Sequence, residues 1–371
     1  MKTSDVIVVG GGVIGTSIAY FLAREGLSVT LFERDDLAAH ASGAAAGMLA
    51  PICESTGDEA FFQLGIRSLA MFPELTAELK AQSGVDPQYV PSGVLRVAAT
   101  SAEVAEMQAL AARLADYGLE WLSGAAVREK EPLLAEGVQG GLWSPREGHV
   151  YSPMLARAYA AAAARHGAHI HTGVPVAGLI RDAEQVLGVE TATGKWGAGH
   201  VVLAAGLWTR YCAEWLGEQL PLEPVRGQIL ALDQPRPSFR SILWSGHTYL
   251  VPKLNGTVVV GATEERVGFD RRNTAAGISS LLASAAAMVP ALADCTFRNA
   301  WAGLRPDTPD HLPVIGPVPG VRGVTLAAGH FRNGVLLSPI TGRIVADWIT
   351  RRDLSPLIHS FLPERLLKHR R

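Results

Sequence analysis

One stretch near the start of the chain constrains its fold more than any other. Residues 5–33 run Asp5-Val6-Ile7-Val8-Val9, then Gly10-Gly11-Gly12-Val13-Ile14-Gly15, then an apolar-periodic segment, then Ser28-Val29-Thr30-Leu31-Phe32-Glu33. Val6 to Val9 is short, apolar and β-branched, as a parallel strand covered on both faces requires. Glycines 10, 12 and 15 fit G-x-G-x-x-G. Ile14, Ile18, Phe21 and Leu22 recur at helical spacing, and Gly26 sits where that helix would stop. A second strand ends at Glu33, eighteen residues after Gly15.

Each part of this βαβ unit has a physical task toward a dinucleotide. Gly10 permits the tight turn, Gly12 offers no side chain to block a pyrophosphate, and Gly15 lets the helix pack close to the strand. Val13 and Ile14 open the helix, whose unpaired N–H groups and positive dipole end attract phosphate. Glu33 can accept hydrogen bonds from a ribose diol, with Arg34 beside it.

The 371 residues suggest about two domains. A formal charge of −2 gives no general attraction to nucleic acid or to an anionic membrane. No window of about 20 apolar residues is present to span a bilayer. Cys53, Cys212 and Cys295 lie far apart and form no C-x-x-C, which disfavours a zinc site or a disulfide scaffold and suits a reducing cytoplasm. No metal is expected. The basic tail Arg365–Arg371 reads as a solvated terminus.

Further along, Phe61–Gly84, Glu103–Gly118, Pro153–His166, Ser279–Val289 and Ile340–Ile349 read as helices. Val94–Ala98, His169–His171, Gln228–Leu232, Tyr249–Pro252 and Thr257–Gly261 read as strands. Val201–Ala205 and Val324–Ala328 are further buried strands, leading into Gly206 and Gly329. Small residues after an apolar strand again allow close approach of backbone to a ligand. The nucleotide-binding region is therefore discontinuous, at 1–85, 150–215 and 320–371. A sheet-rich region, for the substrate, occupies 86–149 and 216–319.

Four segments carry a resemblance across nearly the whole chain. They are the nucleotide motif, Ser42-Gly43-Ala44-Ala45-Ala46-Gly47-Met48, Ala302–Asp310 and Gly329-His330-Phe331-Arg332-Asn333-Gly334-Val335-Leu336-Leu337-Ser338-Pro339. Together they resemble the D-amino-acid-oxidase superfamily of FAD-dependent amine oxidases, and within it most closely the glycine oxidases of thiamine biosynthesis. The resemblance implies an α/β fold: a Rossmann-like FAD domain of the glutathione-reductase type, with an α+β antiparallel-sheet substrate domain. It implies non-covalent FAD held by Gly10, Gly12, Val13, Ile14, Gly15, Glu33, Arg34, Ala41, Ser42, Ala46, Gly47, Met48, Val176 and Gly206. Gly329, His330, Phe331, Arg332, Asn333, Gly334, Val335 and Leu336 complete that set.

For substrate, the residues alone leave Arg305 either as a bidentate carboxylate ligand or in an interdomain ion pair. The resemblance assigns the first, with Tyr249 on the same carboxylate and Arg332 in the same site; a purely structural ion pair is the competing reading of Arg332. His247 and Tyr249, two apart on an expected strand, share a face; His247 is then a lining residue or a satisfied structural histidine. No acid or base is obligatory. Glu264 departs from the resemblance, which has an apolar residue there; an acid at that point could attract a different amine.

The implied reaction is oxidative deamination of glycine, sarcosine or small D-amino acids to oxoacid, amine or ammonia, and hydrogen peroxide, with dioxygen as acceptor. The helix near Asn333–Leu337 would favour negative charge on the flavin through its dipole. Two alternatives stand beside it: a D-amino-acid or sarcosine oxidase or dehydrogenase using another acceptor, and a non-catalytic flavin subunit of a larger complex. A homo-oligomer is expected.

Overall fold

A computed structural model describes residues 2–55 and 57–369. Two eight-stranded sheets organise the chain. The first has the order Val314–Pro317, Val324–Ala328, Gly194–Leu203, Lys2–Val9, Val29–Phe32, His169–His171. The last five run parallel, and Val314–Pro317 is an antiparallel edge. Val6 to Val9 are buried on both faces, which explains their unbroken apolar run. The antiparallel hairpin Val176–Asp182 and Gln185–Thr191 continues from the early part of Gly194–Leu203.

Helices cover the parallel sheet. Val13–Arg24 packs against Ser152–Arg165 and against the last long helix, Gly334–Arg351. The approach to the last helix is close at Gly342, where a Cβ would overlap Ser17 Oγ. Ser17 Oγ donates to the Ser338 carbonyl at 2.7 Å. Pro339 lies inside this helix and supplies no N–H to the Val335 carbonyl one turn back. The Ser338 hydroxyl fills that place at 2.9 Å. Ser68, on Glu59–Ser83, donates to the Leu336 carbonyl at 2.6 Å.

The second sheet has the order Phe297–Asp307, Glu223–Asp233, Thr257–Gly261, Thr248–Pro252, Ile242–Ser245, Val94–Ala98, Gly140–Ser144, Glu120–Ser123. It is antiparallel except where Ile242–Ser245 lies parallel to Val94–Ala98. Trp301 Nε1 donates to the Ala44 carbonyl at 3.0 Å, tying this sheet to the short helix Ala41–Ala44 that follows Val29–Phe32.

Four details depart from the sequence expectation. Val314–Pro317 belongs to the first sheet, so the chain returns there before residue 320. His247 is not on a strand: Gly246, at φ 54°, and His247 form the turn between Ile242–Ser245 and Thr248–Pro252. The hairpin carrying Val176 was not anticipated; its alternation is blurred by half-exposure on both faces. The tail is partly docked: Arg365 pairs with Asp310 at 2.6 Å, and Lys368–His369 pair with Glu218–Gln219. Arg370 and Arg371 lie outside the described residues.

Three buried histidines make the fold acid-sensitive. Burial pushes His149, His200 and His330 down to about 2, about 4 and about 3. An unfolded chain protonates histidine near pH 6.5. Each therefore contributes stability that is present above about pH 6.5 and is lost as pH falls below it. Glu147 opposes them: burial lifts it to about 7, so the folded state binds its proton first and gains from acidification between about pH 7 and 4.5. Three histidines outweigh one carboxyl. The thermal midpoint should fall between about pH 6.5 and 5, and His200→Gln should flatten that fall. A midpoint constant or rising over this window would contradict the assignment.

Candidate active site

A cavity of about 450 Å³ runs between the two sheets. At one end lie Gly10, Gly12, Val13, Ile14, Glu33 and Arg34. Gly10 sits at φ 116°, and a Cβ there would overlap the Ala204 carbonyl on the neighbouring strand connection. The Glu33 carboxylate is buried and accepts from Gly11 N at 2.6 Å and Asp35 N at 2.8 Å, which fixes its orientation. Ser42 Oγ accepts from Val13 N at 2.9 Å, so a residue of the short helix Ala41–Ala44 caps the first helix.

Ala41, Ser42, Ala46, Gly47, Met48, Val176, Gly206, Gly329, His330, Phe331, Arg332, Asn333, Gly334 and Val335 also line the cavity. Gly15 and Leu336 do not. Gly15 packs against the turn, where a Cβ would overlap the Gly10 carbonyl oxygen. Leu336 is turned into the core, 3 % exposed, as its place at the third residue of an amphipathic helix dictates. Arg34 stacks 3.9 Å from the Trp208 ring and meets Asp35 at 2.9 Å, with His40 against the same carboxylate at 2.7 Å. Glu33, Asp35 and His40 cluster, but these amide and ion-pair contacts already account for their positions.

At the other end stand Tyr249, Arg305, Arg332 and Glu54. Glycines clear the space: a Cβ at Gly227 would meet the Arg305 guanidinium, and one at Gly261 the Tyr249 hydroxyl. Arg305 Nη1 donates to the Thr263 carbonyl at 3.0 Å. Among the described residues no carboxylate forms an ion pair with Arg305, whereas Arg332 meets Glu54 at 2.7 Å and Glu264 at 3.5 Å. Burial pushes the Tyr249 phenol up, so it is a neutral donor. Burial also draws Arg305 down from its usual value, while Glu54 foremost holds Arg332 up. His330 is buried, neutral, and 3.1 Å from Thr341 Oγ1.

His247 is exposed in its turn and does not line the cavity; the two-residue turn removes the shared face with Tyr249. Glu264 does not line it either, and its acid is directed to Arg332 rather than to an incoming amine. Glu54 was missed, because an acid in a loop carries no periodic or spacing signal. So was Lys253, which is buried, donates to the Ala46 carbonyl at 2.5 Å and to the Val150 carbonyl at 3.1 Å, and so holds the Ala46–Met48 segment from behind. Burial pushes it down to about 7.

The glycine turn, the capped helix end, the oriented acid and a cavity lined by the half-buried Arg305 fit an FAD with a small anionic substrate beside it. A family model described as DAO, FAD dependent oxidoreductase, matches residues 5–348. Glycine oxidase of Geobacillus kaustophilus is 36 % identical over 360 residues, covering 95 % of each chain. Its crystal structure superposes with a TM-score of 0.93, covering 98 % of both chains at 35 % identity. Bifunctional protein ThiO/ThiG of Trichormus variabilis is 38 % identical over 370 residues, which is 99 % of this chain and 56 % of that protein. The chain thus spans about half the length of the bifunctional relatives and nearly all of the glycine oxidase.

Lys253→Met should leave two buried carbonyls without their donor, at about 1–3 kcal/mol for each unsatisfied group. The Ala46–Met48 segment should loosen, and the flavin should dissociate faster on dilution, read from the rise in free-flavin fluorescence. Retention equal to wild type would show that Lys253 does not support the segment.

Proposed function

Because the chain belongs to the DAO family of FAD-dependent oxidoreductases, we propose that it oxidises glycine and other small amino acids to the oxoacid with release of ammonia or amine, using dioxygen as acceptor. A place in thiamine thiazole biosynthesis is part of this reading, supported by the likeness to the ThiO/ThiG proteins. A cytoplasmic location is part of it too, in keeping with three cysteines that are all unpaired.

The observation that carries the reading is Arg305: a half-buried guanidinium lining the cavity, with a neutral tyrosine beside it and no carboxylate partner of its own among the described residues. A fixed fork of that kind matches a carboxylate in two-point contact. Tyr249 donates a further hydrogen bond to the same group. Two anchors fix the direction of the Cα–H bond, and orientation of this kind supplies much of a barrier reduction. FAD, when bound, supplies the two-electron acceptor.

No side chain has to remove a proton from Cα. His330 is neutral, buried and engaged with Thr341, and Tyr249 is kept protonated by burial. The substrate's amine therefore reacts in its neutral form, with its proton lost to solvent. Gly10, Gly12 and Glu33 would hold the cofactor at the glycine turn, and the amino end of Gly334–Arg351 faces the cavity, where its dipole favours negative charge.

Arg305→Ala should lower kcat/KM for glycine by about 10–150-fold, the worth of charge-assisted hydrogen bonds. Most of it should appear in KM, with flavin content retained. Arg305→Lys should recover only part, since an ammonium lacks the planar fork. Unchanged kinetics in a flavin-loaded variant would place Arg305 outside the site.

The cofactor itself is proposed to be non-covalent. Acid precipitation of the yellow protein should release the flavin to the supernatant. Colour retained in the washed pellet would overturn this.

A further inference from the structure

The substrate end of the cavity holds more charge than one carboxylate needs. Among the described residues, Arg305 and Arg332 are the two cations there, and Glu54 and Glu264 are the two acids that pair with Arg332. The four formal charges cancel. Glu54 lines the cavity, but Glu264 stands behind Arg332, on the segment that leaves the strand Thr257–Gly261. Its side chain is 47 % exposed. Among the ion pairs of the described residues, its one partner is Arg332, so it acts on the cavity through that arginine.

We propose that Glu264 sets the charge class of the substrate. With Arg332 engaged by two acids, the cavity accepts amino acids bearing one carboxylate and discriminates against amino dicarboxylates. The inference rests on the reading of this cavity as an amino-acid site. A zwitterionic amino acid is neutral overall, and its carboxylate is matched by Arg305. A second carboxylate would turn to Arg332, the next cation lining the cavity. There it meets an arginine whose field is already offset by Glu54 and Glu264, and it meets the repulsion of both. Removal of the Glu264 charge leaves Arg332 with one acid and gives the end of the cavity a net positive charge. Glu264 is thus a positioning residue, offsetting the charge of Arg332 without touching substrate itself.

The test uses FAD-loaded wild type, Glu264→Gln and Glu264→Asp. The kcat/KM ratios of iminodiacetate to glycine and of D-aspartate to D-alanine are measured at low and high ionic strength. Independently of turnover, malonate and acetate are titrated by their effect on the flavin absorbance. Glu264→Gln should raise both kinetic ratios and the malonate-to-acetate affinity ratio by about fivefold, through KM rather than kcat. Glu264→Asp should stay near wild type. The gain should shrink at high salt, since a half-exposed charge is screened. A Gln variant whose ratios equal those of wild type would overturn the proposal. So would equal changes for the mono- and dicarboxylates, or a salt-independent shift, either of which marks a role in shape alone. If no amino acid is oxidised but the malonate-to-acetate ratio shifts as stated, the proposed reaction fails and the charge filter stands. Turnover of glycine without any shift sinks the filter alone.

Discussion

The close crossing of two helices at Gly342 and Ser17 is the contact on which the site depends. One helix, Val13–Arg24, begins at the glycine turn; the other, Gly334–Arg351, begins at the opposite side of the same cavity. The absence of a side chain at Gly342 and the hydrogen bond from Ser17 to the Ser338 carbonyl hold them together. Their amino ends are thereby aimed at one space. Two positive dipole ends converging on one cavity suit a ligand that carries negative charge at two places along its length. Ser68 extends the clamp to a third helix, and the Ser338 hydroxyl repairs the hydrogen bond that Pro339 removes.

The second sheet builds the reacting end by subtraction as much as by addition. Gly227 and Gly261 lie on neighbouring strands, and each omits the Cβ that would displace a site residue, Arg305 or Tyr249. The arginine is held by a backbone carbonyl, which leaves its charge uncompensated, whereas Arg332 has its charge matched. Two guanidinium groups in one cavity are thus made chemically unequal by their partners.

The parts of this arrangement that local physics determines were legible in the sequence. The first βαβ unit, the parallel strands at Val201 and Val324 and the alanine-rich helix all have a period or a glycine that forces one reading. The positions of Arg305, Tyr249 and the Gly329–Val335 turn in one cavity came through family resemblance, since nothing local marks an arginine as facing a ligand. What stayed hidden depends on tertiary contacts. Glu54 and Lys253 act across sequence distances of hundreds of residues, on Arg332 and on Ala46. His247 was misplaced because a strand and a two-residue turn read alike when the turn contains only Gly246 before it. Glu264 was recognised as unusual, but its partner is decided by the fold.

The order of strands in the first sheet has a consequence for how the chain is made. Lys2–Val9 is the central strand, and on one side its neighbour is Gly194–Leu203, itself flanked by Val324–Ala328. At synthesis rates of about 5–20 residues per second, some 200 residues take about 10–40 seconds to follow the first strand out. During that time an apolar β-branched strand, paired at most with Val29–Phe32 on one side, has its other edge open. Such an edge is a template for pairing with other chains. The same topology that lets distant segments meet around one cavity therefore places the greatest hazard of misassembly in the period before residue 203 emerges.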